Sequence, residues 1–157
     1  MKSISMFTRS AILSILFVPM LAACATDSAQ RDAAKLALYR AHAGAPVRSF
    51  HFFGRLDSWT SLDARTVAVW TRPSEAWLLD LDGTCNGLEF TPFIGLTSSA
   101  GTVSARFDKV LVRDGSPMRN LPCIIETIRP LDVNAIKQAE RGEHDATQAP
   151  ADQPSGT

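Results

Sequence analysis

Thr66-Val67-Ala68-Val69-Trp70-Thr71 and Ala76-Trp77-Leu78-Leu79-Asp80-Leu81, separated only by Arg72-Pro73-Ser74-Glu75, decide the fold class. Each run is rich in β-branched and aromatic residues, each has strand length, and the proline-containing linker between them suits a turn. Val67 and Val69 alternate with Ala68 and Trp70, while Trp77, Leu79 and Leu81 alternate with Ala76, Leu78 and Asp80. Successive side chains of a strand point to opposite faces. Both faces are apolar here, so these strands are expected to be covered on two sides.

Working outward, Val47 to Phe53, Val103 to Arg113 and Cys123 to Arg129 read as further strands. Asp114-Gly115 is a turn signal, which predicts that the strand ending at Arg113 folds back through a loop containing Pro117 and Pro122. Asp27 with Gln30 fits a capping box for a helix over Arg31 to Ala43, stopped by Gly44 and Pro46, with Leu36 and Tyr39 one turn apart to pack on the sheet. Asp132 reads as the N-cap of a second helix over Val133 to Arg141, stopped by Gly142. The expected fold is α+β and mainly β: a small antiparallel sheet or partly closed barrel, with an N-terminal helix and a short C-terminal helix. Residues 142–157 have no large apolar side chain and are expected to be a disordered tail, so a single domain spans 31–141.

The first residues carry a different message. Lys2 and Arg9 precede an apolar run from Ala11 to Met20, and the small residues Ala22 and Ala23 lead into Cys24. This is the order of a secretory signal peptide over residues 1–23, and the run is too short for the ~20 residues of a membrane span. Leu21-Ala22-Ala23-Cys24 resembles the lipobox of bacterial lipoproteins. The resemblance implies cleavage before Cys24, a diacylglycerol on its thiol and a further palmitate-type acyl chain on its freed amine. Residues 24–30 would then serve as anchor and tether. Several acyl chains hold a protein to a bilayer where one does so only marginally. Ala25 replaces the aspartate that often marks inner-membrane retention, which makes the periplasmic face of the outer membrane the expected address.

Without its first 23 residues the chain has 134 residues, with 14 basic and 16 acidic side chains. That length suits one domain, and the balance gives no footprint for nucleic acid. Eleven of the basic residues are arginines. Arg48, Arg55, Arg72, Arg106 and Arg113 lie in or beside predicted strands, either as a solvated sheet face or as an anion site. Cys85 and Cys123 are the two cysteines left in a chain bound for an oxidising compartment, and such a pair reads as a disulfide. His42, His51 and His144 show no ligand spacing, so no metal and no cofactor is expected.

Leu78-Leu79-Asp80-Leu81-Asp82-Gly83-Thr84 resembles the first signature of haloacid-dehalogenase-like phosphotransferases, and Ile94-Gly95-Leu96-Thr97 mimics the second. The resemblance implies Asp80 as nucleophile and Asp82 as acid/base. Only about ten residues separate Thr84 from Ile94, too few for the helical crossover of a parallel sheet, so both aspartates are expected to be structural. Ser98, Ser99 and Ser104 lie in no nucleophile elbow, and neither His42 nor His51 has the context of a base. Trp59, Trp70, Trp77 and the phenylalanines are expected to fill the core.

The lipobox, Ala43-Gly44-Ala45-Pro46-Val47, Trp59 with Leu62, the spacing from Leu78-Leu79 through Cys85 to Leu88, Phe107-Asp108-Lys109-Val110 and Pro122-Cys123-Ile124-Ile125-Glu126 together resemble a family of short Gram-negative envelope lipoproteins known only as a domain of unknown function. The resemblance spans Leu38 to Val133. It implies an envelope location and carries no activity. The expected function is a noncatalytic, membrane-anchored module that binds an envelope protein or component, its oligomeric state open. The alternative is a small periplasm-facing enzyme or ligand carrier with a pocket lined by aromatics and arginines.

Overall fold

A computed structural model describes residues 23–113 and 120–148. Helix α1 (Ala23–Ala41) leads into strands β1 (Ser49–His51), β2 (Ser58–Asp63), β3 (Thr66–Arg72), β4 (Glu75–Leu81), β5 (Phe93–Leu96), β6 (Thr102–Ser104), β7 (Lys109–Arg113) and β8 (Asn120–Leu131), followed by helix α2 (Val133–Gln148). Six strands form a curled antiparallel half-barrel in the order β2-β3-β4-β8-β7-β5, and β1 pairs with β6 in a small second sheet. The mainly β architecture flanked by two helices is as the sequence predicts.

The β3–β4 hairpin sets the register, with Val67 opposite Leu79, Ala68 opposite Leu78 and Val69 opposite Trp77. One of its faces carries Val67, Val69, Leu79 and Leu81 into the half-barrel interior, where they meet Phe50, Val103, Val110, Val112, Ile125 and Ile128. The opposite face places Ala68, Ala76 and Leu78 against Tyr39 of α1 and Val133 and Ile136 of α2. Double coverage of the central strands is therefore real, and it explains why apolar residues appear on both parities. Trp70 meets Tyr39 edge-on at 6.2 Å, and Trp77 stacks on Phe50 at 4.8 Å.

Strand β8 joins the two halves. Its first residues pair with β7 (Val110 opposite Cys123) and its later ones with β4 (Leu79 opposite Ile128). Along its other side the chain after α1 adds single bonds: the Val47 amide donates to the Ile128 carbonyl at 2.9 Å, and the Gly44 amide to that of Pro130 at 2.8 Å. A side chain at Gly44 would bring its Cβ to 3.0 Å from Pro130 Cγ, so this close approach favours glycine.

Several boundaries differ from expectation. α1 begins at Ala23, with Asp27 and Gln30 inside it rather than capping it, because no glycine or proline interrupts the alanine-rich stretch from Ala23 to Ala41. The stretch 24–30 read as a tether is thus helical. α2 starts at the predicted cap, where Asp132 Oδ1 accepts the amides of Asn134 and Ala135, but it passes Gly142 and reaches Gln148. One helical glycine costs only about 1 kcal/mol, and no proline follows until Pro150. Residues 143–148 of the expected tail are therefore helical; residues 149–157, the segment 1–22 and the stretch 114–119, where a turn is expected, lie outside the described residues.

The single strand expected from Val103 to Arg113 is two, β6 and β7, broken where Arg106 takes a left-handed φ of 65°. Strands β2 and β5 are additions that the sequence pattern did not single out. Pro122, expected in the loop, lies within β8 opposite Leu111, beyond the end of β4, where a missing amide breaks no bond to that strand.

Candidate functional site

Asp80 stands on β4 on the helix-covered face of an antiparallel sheet. Its Oδ1 accepts Nη2 of Arg40 at 3.0 Å and the hydroxyl of Thr66 at 3.4 Å, which ties α1 to the sheet. Asp82 is exposed in the turn that follows, where Gly83 has a φ of 79°. All strand pairings among the described residues are antiparallel, so the parallel crossover that the phosphotransferase signature requires is not formed there. Ile94-Gly95-Leu96, which mimicked the second signature, is edge strand β5, and the Thr97 hydroxyl donates to Asp108 Oδ1 at 2.8 Å.

Cys85 and Cys123 are bonded, with Cα atoms 5.7 Å apart. The bridge fastens the loop after β4 to β8, and the Cys85 amide donates to the Ala64 carbonyl at 2.8 Å. Cys24 lies in the first turn of α1. His51 is exposed on β1, while His42 is half-buried after α1 and its carbonyl accepts the Asp132 amide. Among the described residues no group of three His, Cys, Asp or Glu side chains is placed to hold a metal ion, and no helix is long and apolar enough to cross a membrane.

The three tryptophans pack against the two cores as expected, but Phe53, Phe90, Phe93 and Phe107 do not: all four are exposed. Phe53, Phe90 and Phe107 lie outside the strands, whereas the exposure of Phe93 follows from uneven coverage of the half-barrel. The helices cover the outer face of β2, β3 and β4, and among the described residues no helix covers that of β5, β7 and the first part of β8. In β7, Val110 and Val112 are fully buried, which turns Lys109, Leu111 and Arg113 outward. Register then places Phe93 beside Arg113, Gly95 and Pro122 beside Leu111, and Ile124 beside Lys109. The result is an apolar strip of Phe93, Leu111, Pro122 and Ile124, flanked by Lys109 and Arg113. Because Gly95 has no side chain, a notch of about 260 Å³ opens between Phe93, Leu111 and Arg113.

Further concavities border the sheets. The seam between edge strands β2 and β5 encloses about 370 Å³ lined by Phe52, Leu56, Trp59, Ile94 and Leu96. Nearby, Phe53 lies under the guanidinium of Arg72, 5.5 Å from the ring centre, while Arg72 also pairs with Glu75 at 2.9 Å. A second groove of about 430 Å³ runs beside the β1–β6 pair and brings together Arg48 and Arg106 from the set of arginines singled out in the sequence. Arg55 lines the seam and Arg113 the notch, so the five arginines do not converge on one site.

The profile of a family of unknown function, DUF6491, matches residues 6–147. The chain belongs to this family. The DUF6491 match reaches beyond the stretch from Leu38 to Val133 in which the resemblance was read, taking in α1 and nearly all of α2. No curated protein and no solved structure matches the chain.

Proposed function

We propose that this DUF6491 protein is a noncatalytic docking module of the cell envelope, held at the periplasmic face of the outer membrane by acyl chains on Cys24. Its bare half-sheet would receive an envelope protein presenting an apolar strip bordered by carboxylates. The observation that carries the reading is the uneven coverage: Phe93 is 65% and Ile124 39% exposed on a face that no element of the chain covers among the described residues. An exposed, contiguous apolar strip of this kind is a common mark of an interaction site. Lys109 and Arg113 set the sign of the partner's rim, since opposed charges steer encounter and reject wrong partners. The lipobox-like run before Cys24 and the bridged cysteines support an extracytoplasmic address.

The test is site-specific photo-crosslinking in the native envelope. A crosslinker at Phe93 should give one discrete adduct that disappears in the Leu111→Asp/Ile124→Asp double variant, and a crosslinker at Gln138, exposed on α2, should give none. Equal adducts from both positions, or an adduct at Phe93 that survives the double substitution in a folded protein, would contradict the proposal. The ligand-carrier alternative is favoured by a different feature, the arginine-lined groove.

A further inference from the structure

We infer that the groove beside the β1–β6 pair is a binding site for a phosphate ester whose alcohol part carries a hydroxyl or amino group. Ser49 and Ser104 are direct partners in the antiparallel pair, and the Ala105 amide donates to the Arg48 carbonyl at 2.9 Å. Those bonds set Arg48 and Arg106 on one groove, with Thr127 and Glu126 contributed by β8. Its volume of about 430 Å³ falls in the range of small-molecule sites.

Three observations point to an oxyanion. Arg106 reaches Glu126 at 3.3 Å, while the Arg48 guanidinium has no protein acceptor among the described residues, leaving the groove with an excess of positive charge. The hydroxyls of Ser49, Ser104 and Thr127 likewise make no hydrogen bond to the protein there. Two guanidinium forks and three hydroxyls offer more donors than the two oxygens of a carboxylate use, and they suit the several oxygens of a phosphate. Finally, Arg106 occupies a backbone conformation, φ 65°, in which glycine or asparagine would be less strained. A turn alone would be better served by glycine. A side chain held in a disfavoured conformation at a groove directs attention to what that side chain does.

Glu126 shapes the other end. An incoming phosphate competes for Arg106, and a carboxylate released from that pair accepts a hydrogen bond from a hydroxyl or ammonium group of the same ligand. Apolar side chains of Val47 and Ala105 complete the lining and suit the short carbon chain between the two polar ends. This site is separate from the bare half-sheet and does not depend on its role.

The probes are O-phosphoethanolamine, glycerol 3-phosphate and ethanolamine, titrated into the ¹⁵N-labelled full mature chain. Saturable shifts of the Ser49, Ala105, Arg106 and Thr127 amides are expected with both esters and not with ethanolamine. Arg48→Ala and Arg106→Gly should each weaken ester binding about tenfold or more, the worth of a charge-assisted hydrogen bond. Arg106→Gly should leave the thermal midpoint unchanged or raised, separating a lost ligand contact from a damaged fold. Vesicles containing phosphatidylethanolamine distinguish the source: Arg48-dependent binding to them assigns the ester to a lipid headgroup, and binding of the soluble esters alone assigns it to a free metabolite. No saturable shift with either ester, or full affinity in Arg106→Gly, overturns the inference.

Discussion

The carboxylate of Asp108 accepts the backbone amide of Ser104 at 2.7 Å, closing the turn that separates β6 from β7. Its other oxygen accepts the Thr97 hydroxyl at 2.8 Å, and that hydroxyl in turn accepts the Lys109 amide at 2.9 Å. One buried side chain thus fixes the break in what reads as a continuous strand, and with it the place where Arg106 leaves the sheet. Asp108→Ala would strand the half-buried Ser104 amide and should lower stability by about 1 kcal/mol, the low end of the cost of an unsatisfied donor. Urea unfolding measures this, and an unchanged midpoint would mean that the turn closes without Asp108.

Tyr39 is the single tyrosine of the chain, so its ionisation can be followed without interference. Burial first, then the charge of Glu140 and the 3.0 Å hydrogen bond to it, hold the phenol above the usual tyrosine range. The unfolded phenol ionises near pH ~10, so the neutral form's contribution to stability is present below that pH and is lost as pH rises above it. Absorbance near 295 nm should show no tyrosinate in the folded protein at pH 10.5, with ionisation appearing only as the chain unfolds. An ordinary titration curve at intact circular dichroism would contradict the burial of the Tyr39 ring and its bond to Glu140 of α2.

The Cys85–Cys123 bridge closes a separation of 38 residues. On the loop-closure account its loss destabilises the domain by roughly 4 kcal/mol. The Cys85→Ser/Cys123→Ser variant should therefore unfold at much lower urea, and the wild type should lose the same amount on reduction. Equal midpoints for oxidised and reduced protein would show that the bridge contributes little to folding.

Gly44→Ala would push a methyl group to within 3.0 Å of Pro130 Cγ, while the 2.8 Å bond from the same residue's amide leaves little room to retreat. A lower thermal midpoint is expected. Gly142→Ala, at an open helical position with nothing near, should raise the midpoint slightly by helix propensity, up to about 1 kcal/mol. The reverse order would contradict the packing described for the start of the sheet.

The β3–β4 hairpin, the disulfide and the cap at Asp132 were legible because each rests on short-range pattern or residue chemistry. Strands β2 and β5 were not. Ser58–Asp63 mixes polar and apolar residues because it is an edge strand packed by α1 on one side, and Phe93–Leu96 is four residues long with a glycine inside. Missing β5 hid the candidate site: without its pairing to β7, nothing marks Phe93 and Leu111 as neighbours on one bare face. The arginine groove was half legible, since Arg48 and Arg106 stood out as strand-associated cations, but their meeting depends on the β1–β6 pairing across more than fifty residues.

Anchoring of the proposed docking module to the envelope rests first on Cys24. Intact-mass and N-terminal peptide analysis of the protein recovered from its own membrane fraction tests it directly. The expected result is a mature chain that begins at Cys24 and carries diacylglyceryl and acyl increments, and a Cys24→Ser variant that is neither acylated nor retained in the membrane. An unmodified wild-type chain, beginning at any other residue and recovered free of membrane, would contradict it.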